Sequence, residues 1–131
     1  MVVENETTET HLISIFIHTE PSKPTIEVGD ESGRNIPIGD GSPVTMNVGD
    51  NLTAASNTTI TIRCPTSGVP TPVVTWRKDG VQITEGDRFS ITVDNSLVIK
   101  GADVKESALY TCIVQSAFGK DDSPSIVRII G

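Results

Sequence analysis

Apolar positions in this chain never recur at helical spacing over a dozen residues, whereas from Thr58 onward short runs rich in Val, Ile and Thr alternate in polarity. Clusters of Gly, Asp, Pro and Asn interrupt these runs every ~8 to 12 residues, which is the pattern of a β-sandwich or barrel. The alternation predicts strands over residues 43 to 48, 58 to 64, 73 to 78, 81 to 83, 89 to 93, 96 to 100, 108 to 115 and 125 to 130. Lys78-Asp79-Gly80 and Phe118-Gly119-Lys120 place Gly where a hairpin needs positive φ, so their flanking strands are expected to pair antiparallel. Asp94-Asn95-Ser96 turns the chain through side-chain to backbone bonds, and Pro70 and Pro72 hold the approach to the next strand extended.

Charge removes two function classes. Seventeen Asp and Glu against ten Lys and Arg give a net charge of -7. A chain so charged, with no basic cluster, cannot build the positive field that a nucleic-acid backbone or an anionic lipid surface requires. The excess is local: residues 60 to 131 carry eight acids and eight bases, and the remainder falls in residues 1 to 59, where only Lys23 and Arg34 oppose nine acids. The run from Leu12 to Ile17, between His11 and His18, is far short of the ~20 apolar residues that span a bilayer. Acids precede it where a signal peptide carries positive charge, so neither direct membrane insertion nor a targeting segment is expected. At 131 residues the length fits one domain with a core of its own. Glu20-Pro-Ser-Lys-Pro24 looks like a stiff linker. Residues 1–23 are therefore expected to be an extension, the end of a preceding domain or an added strand, and residues 24–131 one folded domain.

Two cysteines admit a disulfide, a redox site or half a metal site. Cys64 and Cys112 lie 48 positions apart, with no CxxC motif and no histidine within 40 residues of either, so zinc ligation and thioredoxin-like chemistry are poorly supported. Both fall in alternating apolar strands. The stretch from Cys64-Pro-Thr-Ser-Gly-Val-Pro-Thr-Pro-Val-Val-Thr to Trp76-Arg-Lys-Asp-Gly80 is followed by Arg88-Phe-Ser-Ile91, Ser96-Leu-Val-Ile99 and Glu106-Ser-Ala-Leu-Tyr110-Thr-Cys112. In the order Cys, Trp, Leu, Tyr-x-Cys, over residues 24 to 131, the chain resembles the immunoglobulin superfamily.

That resemblance implies an all-β, two-sheet antiparallel Greek-key immunoglobulin sandwich. It implies a Cys64 to Cys112 bridge with Trp76 packed on it, Leu97 in the core, Tyr110 as a tyrosine corner, and an Arg88 to Glu106 salt bridge. With Trp76 inward, period-2 alternation also puts Val74, Ile60, Ile62, Ile99 and Val114 in the core. Only 11 residues separate Trp76 from Arg88, too few for a C″ strand, so the chain is most similar to the I-set. Two departures stand out: Ala108 replaces the usual Gly, and the stretch from Gly49 to Cys64 is longer than usual by several polar residues.

Three Asn-x-Thr sequons, at Asn5, Asn51 and Asn57, fit a secreted chain, with Asn51 the preferred glycosylation site. The alternative reading of each is a turn-former bonded to local backbone. No cofactor, metal or catalytic constellation is expected: His11 and His18 stand apart from any nucleophile motif, and the acidic turns at Asp30, Glu31, Asp40, Asp121 and Asp122 match no calcium loop. Surface recognition remains. The outward positions Val73, Thr75, Arg77, Thr111, Ile113 and Gln115 form a candidate binding face for a protein partner, a neighbouring domain or a matrix or cell-surface protein, with Arg77, Ile113 and Gln115 at its centre. The expected role is a non-catalytic extracellular binding or spacer module. The run from Cys64 to Trp76 is most similar to immunoglobulin domains of the ADAMTS-like, papilin and hemicentin matrix families. A receptor ectodomain and an intracellular titin-type domain with reduced cysteines are the competing readings.

Overall fold

Alternating side chains fill a space between two sheets, and the strand order follows from which faces they bury. The computed structural model describes residues 20–28, 33–36 and 41–131. In chain order the strands are β1 (Ser22–Ile26), β2 (Asn35–Ile36), β3 (Val44–Asn47), β4 (Asn51–Ala55), β5 (Thr58–Arg63) and β6 (Thr66–Val69). They continue as β7 (Val73–Lys78), β8 (Val81–Gln82), β9 (Phe89–Ile91), β10 (Leu97–Ala102), β11 (Ala108–Ser116) and β12 (Gly119–Ile130), with one 3-10 turn at Val104–Glu106. One sheet has the order β3-β5-β10-β9, the other β2-β4-β12-β11-β7-β8, and β1 pairs with β6 in a separate ribbon.

The core lies between the two larger sheets. Ile60, Ile62, Leu97 and Ile99 come from one side, and Trp76, Tyr110, Cys112, Val114, Val127 and Ile129 from the other, all of them buried. Val74 is half-buried against them. Each such side chain contributes roughly 1.5–3 kcal/mol of transfer free energy against the entropy of ordering it. The turn between β7 and β8 is a two-residue loop with Asp79 at φ 49 and Gly80 at φ 84, joining the Lys78 and Val81 pair. Positive φ at both central residues matches the right-handed twist of the flanking strands.

The strand pattern differs from the sequence expectation in several places. β4 occupies the polar stretch between Gly49 and Cys64: Leu52 and Ala54 point inward and Asn51, Thr53 and Ala55 outward, an alternation that short polar residues conceal. β12 begins at Gly119 rather than residue 125 and carries Pro124 inside a central strand, at a point where it has not yet met β4, whose pairing starts at Ile126. The sandwich is not wholly antiparallel: β4 runs parallel to both β12 and β2, and β3 runs parallel to β5. Finally, Ser22 to Pro24, part of the Glu20 to Pro24 segment that suggested a linker, belong to β1, which pairs with β6 and sends the Ile26 N–H to Asp121 Oδ2 at 3.0 Å. Gly68 permits that approach. Its φ is 147, and a Cβ there would stand 2.9 Å from Pro24 Cα.

Candidate functional site

The centre of the sandwich holds one covalent and two hydrogen-bonded fastenings. Cys64 and Cys112 are joined in a disulfide, and Trp76, directly opposite Cys112 in the register of β7 and β11, has no exposed surface. Its indole N–H, which would otherwise be a buried orphan, donates to the Asn95 carbonyl at 2.9 Å. Tyr110 is equally buried, and its hydroxyl donates to the Glu106 carbonyl at 2.6 Å. Burial first, then the nearby carboxylates of Glu106 and Asp79, push its phenol well above the usual range, so it remains a neutral donor. Tyr110→Phe removes that donor and strands a carbonyl, and is expected to cost about 1–2 kcal/mol of unfolding free energy. Urea titration checks this; an unchanged midpoint would show that the corner contributes nothing.

At the opposite end of that corner, Arg88 Nε lies 3.7 Å from Glu106 Oε1, and Arg88 Nη1 donates to the Lys100 and Gly101 carbonyls. Glu106 is buried and its Oε1 also accepts from the Asp103 N–H at 2.8 Å, closing a capping box on the 3-10 turn. Arg88 therefore ties the end of β10 to the 3-10 turn that precedes β11.

A second buried carboxylate escaped the sequence reading. Asp50 has no exposed surface. Its Oδ2 accepts from Arg34 Nη2 at 2.9 Å and from the Asn47 N–H at 3.1 Å, and its Oδ1 accepts from the Arg34 N–H at 3.2 Å. The neighbouring Gly49 N–H reaches both the Pro124 carbonyl and Ser125 Oγ. Burial raises the Asp50 pKa, but the hydrogen bonds from the Arg34 side chain and from the Asn47 and Arg34 backbones together outweigh it, and the carboxyl is held below the usual range. The Asp50 carboxylate thus ties the end of β3 to Arg34, just before β2, while the Gly49 N–H holds the same turn to β12. The Gly-Asp-Asn signal marks a turn but gives no hint that the carboxylate faces inward.

The outer face of the six-stranded sheet is a regular, solvent-facing surface. Arg77 and Gln115 are exposed there and Ile113 is half-buried, with Thr75 on one side of it and Asp122 on the other. Sequence reasoning missed a second apolar feature on this face: Leu109 and Ile126, directly paired across β11 and β12, are 42% and 46% exposed. Both are legible as outward once β12 is known to run through residue 126 in phase with Val127 and Ile129. On the other side of Ile126, β4 places Asn51, and beyond it β2 places Asn35, so one row reads Asn35, Asn51, Ile126, Leu109. Asn51 Nδ2 donates to Asn35 Oδ1 at 3.2 Å.

Asn57 stands at the exposed turn between β4 and β5 with φ 75. Asn5, His11, His18, Leu12 to Ile17, Asp30, Glu31 and Asp40 lie outside the described residues. Of the acidic positions read as candidate calcium ligands, Asp121 is committed to the Ile26 N–H. No group of three His, Cys, Asp or Glu side chains among the described residues could hold a metal ion, and no described helix is long and apolar enough to cross a membrane. A depression of about 330 Å³ opens beside β8, lined in part by Lys78, Val81, Ile83 and Phe89. The Lys78 ammonium sits 5.9 Å from the Phe89 ring centroid and donates to the Lys105 carbonyl, and Asp79 Oδ1 accepts from the Leu109 N–H at 2.9 Å, so both charged groups that line it are already engaged.

A bridged Cys pair under a buried Trp, a tyrosine corner and sheets of this order define an immunoglobulin-like sandwich. The immunoglobulin I-set domain model matches residues 43–129, and the chain belongs to that family. It is 31% identical over 97 residues to ADAMTS-like protein 3 of Homo sapiens, covering 74% of this chain and 6% of that protein. It is 31% identical over 78 residues to the peroxidasin homolog of Mus musculus, covering 60% of this chain and 5% of that one. The chain thus spans only a small fraction of these relatives. Among solved structures, titin domain M7 superimposes with a TM-score of 0.65 at 26% identity, over 86% of this chain and 98% of that one.

Proposed function

We propose that the chain is a non-catalytic spacer and protein-binding module of a multidomain adhesion or matrix protein, working outside the cell. The observation that carries this reading is the Cys64 to Cys112 bridge at the centre of the core. Such bonds persist in oxidising compartments and are rare in the cytosol. The likeness to a short part of ADAMTS-like protein 3 supports it, as do the sequons at Asn51 and Asn57. Recognition of a protein partner falls to the outer face around Arg77, Ile113 and Gln115, where a polar rim surrounds a half-buried aliphatic residue. Nucleic acid is not a partner of so acidic a chain. The fit to titin domain M7 favours a second reading, an intracellular mechanical link with reduced cysteines; a receptor ectodomain differs from the first only in the parent chain.

Protein collected from the medium of secreting eukaryotic cells tests the choice. Treated with a thiol alkylator before and after reduction, it is expected to gain mass at neither cysteine in the first case and at both in the second, and to lose mass on treatment with a glycosidase. An unglycosylated product with two free thiols would overturn the extracellular reading in favour of the titin-type one.

A further inference from the structure

We infer that Asn51 carries an N-linked glycan whose core lies across Ile126 and Leu109, covering the exposed aliphatic row on the outer face of the six-stranded sheet. The inference rests on the extracellular reading above, because only a secreted chain meets the transfer machinery. In that transfer Asn51 Nδ2 bonds to the anomeric C1 of an oligosaccharide carried on a lipid pyrophosphate. The bond from C1 to the pyrophosphate oxygen breaks, the pyrophosphate leaves with the bonding pair, and the displaced amide proton leaves with it.

Three observations place the sugar. Asn51 shares one row with Ile126 and Leu109, and adjacent strands stand about 4.8 Å apart, so Leu109 is about 10 Å from Asn51, within reach of the first two sugars. One Nδ2 hydrogen is already given to Asn35 Oδ1, on the β2 side of β4. The second Nδ2 hydrogen is the one a sugar can replace without breaking that bond, so the Asn35 contact and a glycan can coexist. The row itself has the right size and chemistry. Two aliphatic side chains, 42% and 46% exposed, fall far short of the roughly 800 Å² per partner that a stable protein interface buries, yet they suit the apolar C–H face and acetyl methyl of one or two sugars. Arg128 and Pro124 flank Ile126 on the same face of β12 and confine the row to this width. Val73 and Gln115, six residues further along β11, stay uncovered, while Arg77, opposite Thr111, stands one same-face step from Leu109, so the glycan marks the near edge of the proposed partner face.

The test uses the secreted chain, its glycosidase-treated form and Thr53→Val, which removes the sequon and leaves Asn51 and the strand in place. Peptide mass mapping reads occupancy, and hydroxyl-radical footprinting reads side-chain accessibility. Oxidation of Leu109 and Ile126 is expected to rise several-fold in Thr53→Val and after sugar removal, while Val81 and Ile130 stay unchanged. An unoccupied Asn51 in a disulfide-bonded secreted chain overturns the inference and leaves the extracellular reading standing. Occupancy with unchanged oxidation of Leu109 and Ile126 overturns it as well. Free thiols with every sequon bare would remove both.

Discussion

Replacing Cys64 and Cys112 together by Ala is expected to lower the free energy of unfolding by about 4 kcal/mol, from the loop-closure entropy that a bridge of separation 48 removes from the unfolded chain. For a domain whose total stability is of the order of 5–15 kcal/mol, this is a large part of what holds it folded. The packing adds to the entropy: Cys112 and Trp76 are directly opposed and neither has exposed surface, so trimming the sulfurs leaves a gap that the indole cannot follow. Because both sulfurs are buried, reductant should act slowly on the folded domain and rapidly once urea opens it. Equilibrium urea curves for wild type with and without reductant, and for the double Ala variant, check the prediction. Equal midpoints in all three would mean that packing alone supplies the stability. They would also weaken the case for an oxidising compartment, since a domain adapted to reduced cysteines would behave in that way.

Asp50→Ala is the second large effect, about 3 kcal/mol of destabilisation. The substitution removes the acceptor of the part-buried Asn47 and Arg34 N–H groups and takes one partner from the Arg34 side chain, which at 42% exposure recovers part of its loss from solvent. The pH dependence follows from the direction of the shift. The folded carboxyl titrates below its unfolded value of about 3.9, so its contribution is complete above that pH. It is lost as pH falls through the folded pKa. Urea midpoints of wild type and Asp50→Asn are therefore expected to differ most at neutral pH and to converge below about pH 4. A gap that stays constant down to acid pH would show that shape, not charge, is what the site needs.

Much of the central sandwich was legible because its signals are local or strongly typed. The hairpin at Asp79 and Gly80 needs positive φ at two adjacent residues, and the core positions Ile60, Ile62, Leu97, Ile99 and Val114 repeat at the period of a pleated strand. β4 was hidden because Asn51, Thr53 and Ala55 face outward and the two inward residues, Leu52 and Ala54, are too few to make a pattern. The binding-face residues Arg77 and Gln115 were placed on the surface by alternation alone, but Leu109 and Ile126 were not seen as neighbours, because they lie on different strands and meet only through the register of β11 with β12.

The sequence by itself determined the all-β class and the facing of the strands from Thr58 onward, since strand period and turn chemistry are written residue by residue, while the cysteine bridge under Trp76 followed from the resemblance to the immunoglobulin superfamily. Only the tertiary structure decided that Asp50 is buried on Arg34, that β3 and β4 run parallel to their partners, and that the Asn51 sequon stands beside Ile126 and Leu109. The reason is physical: each of these joins residues far apart in the chain, and a carboxylate, a strand direction or an asparagine takes its meaning from the neighbours that folding brings to it.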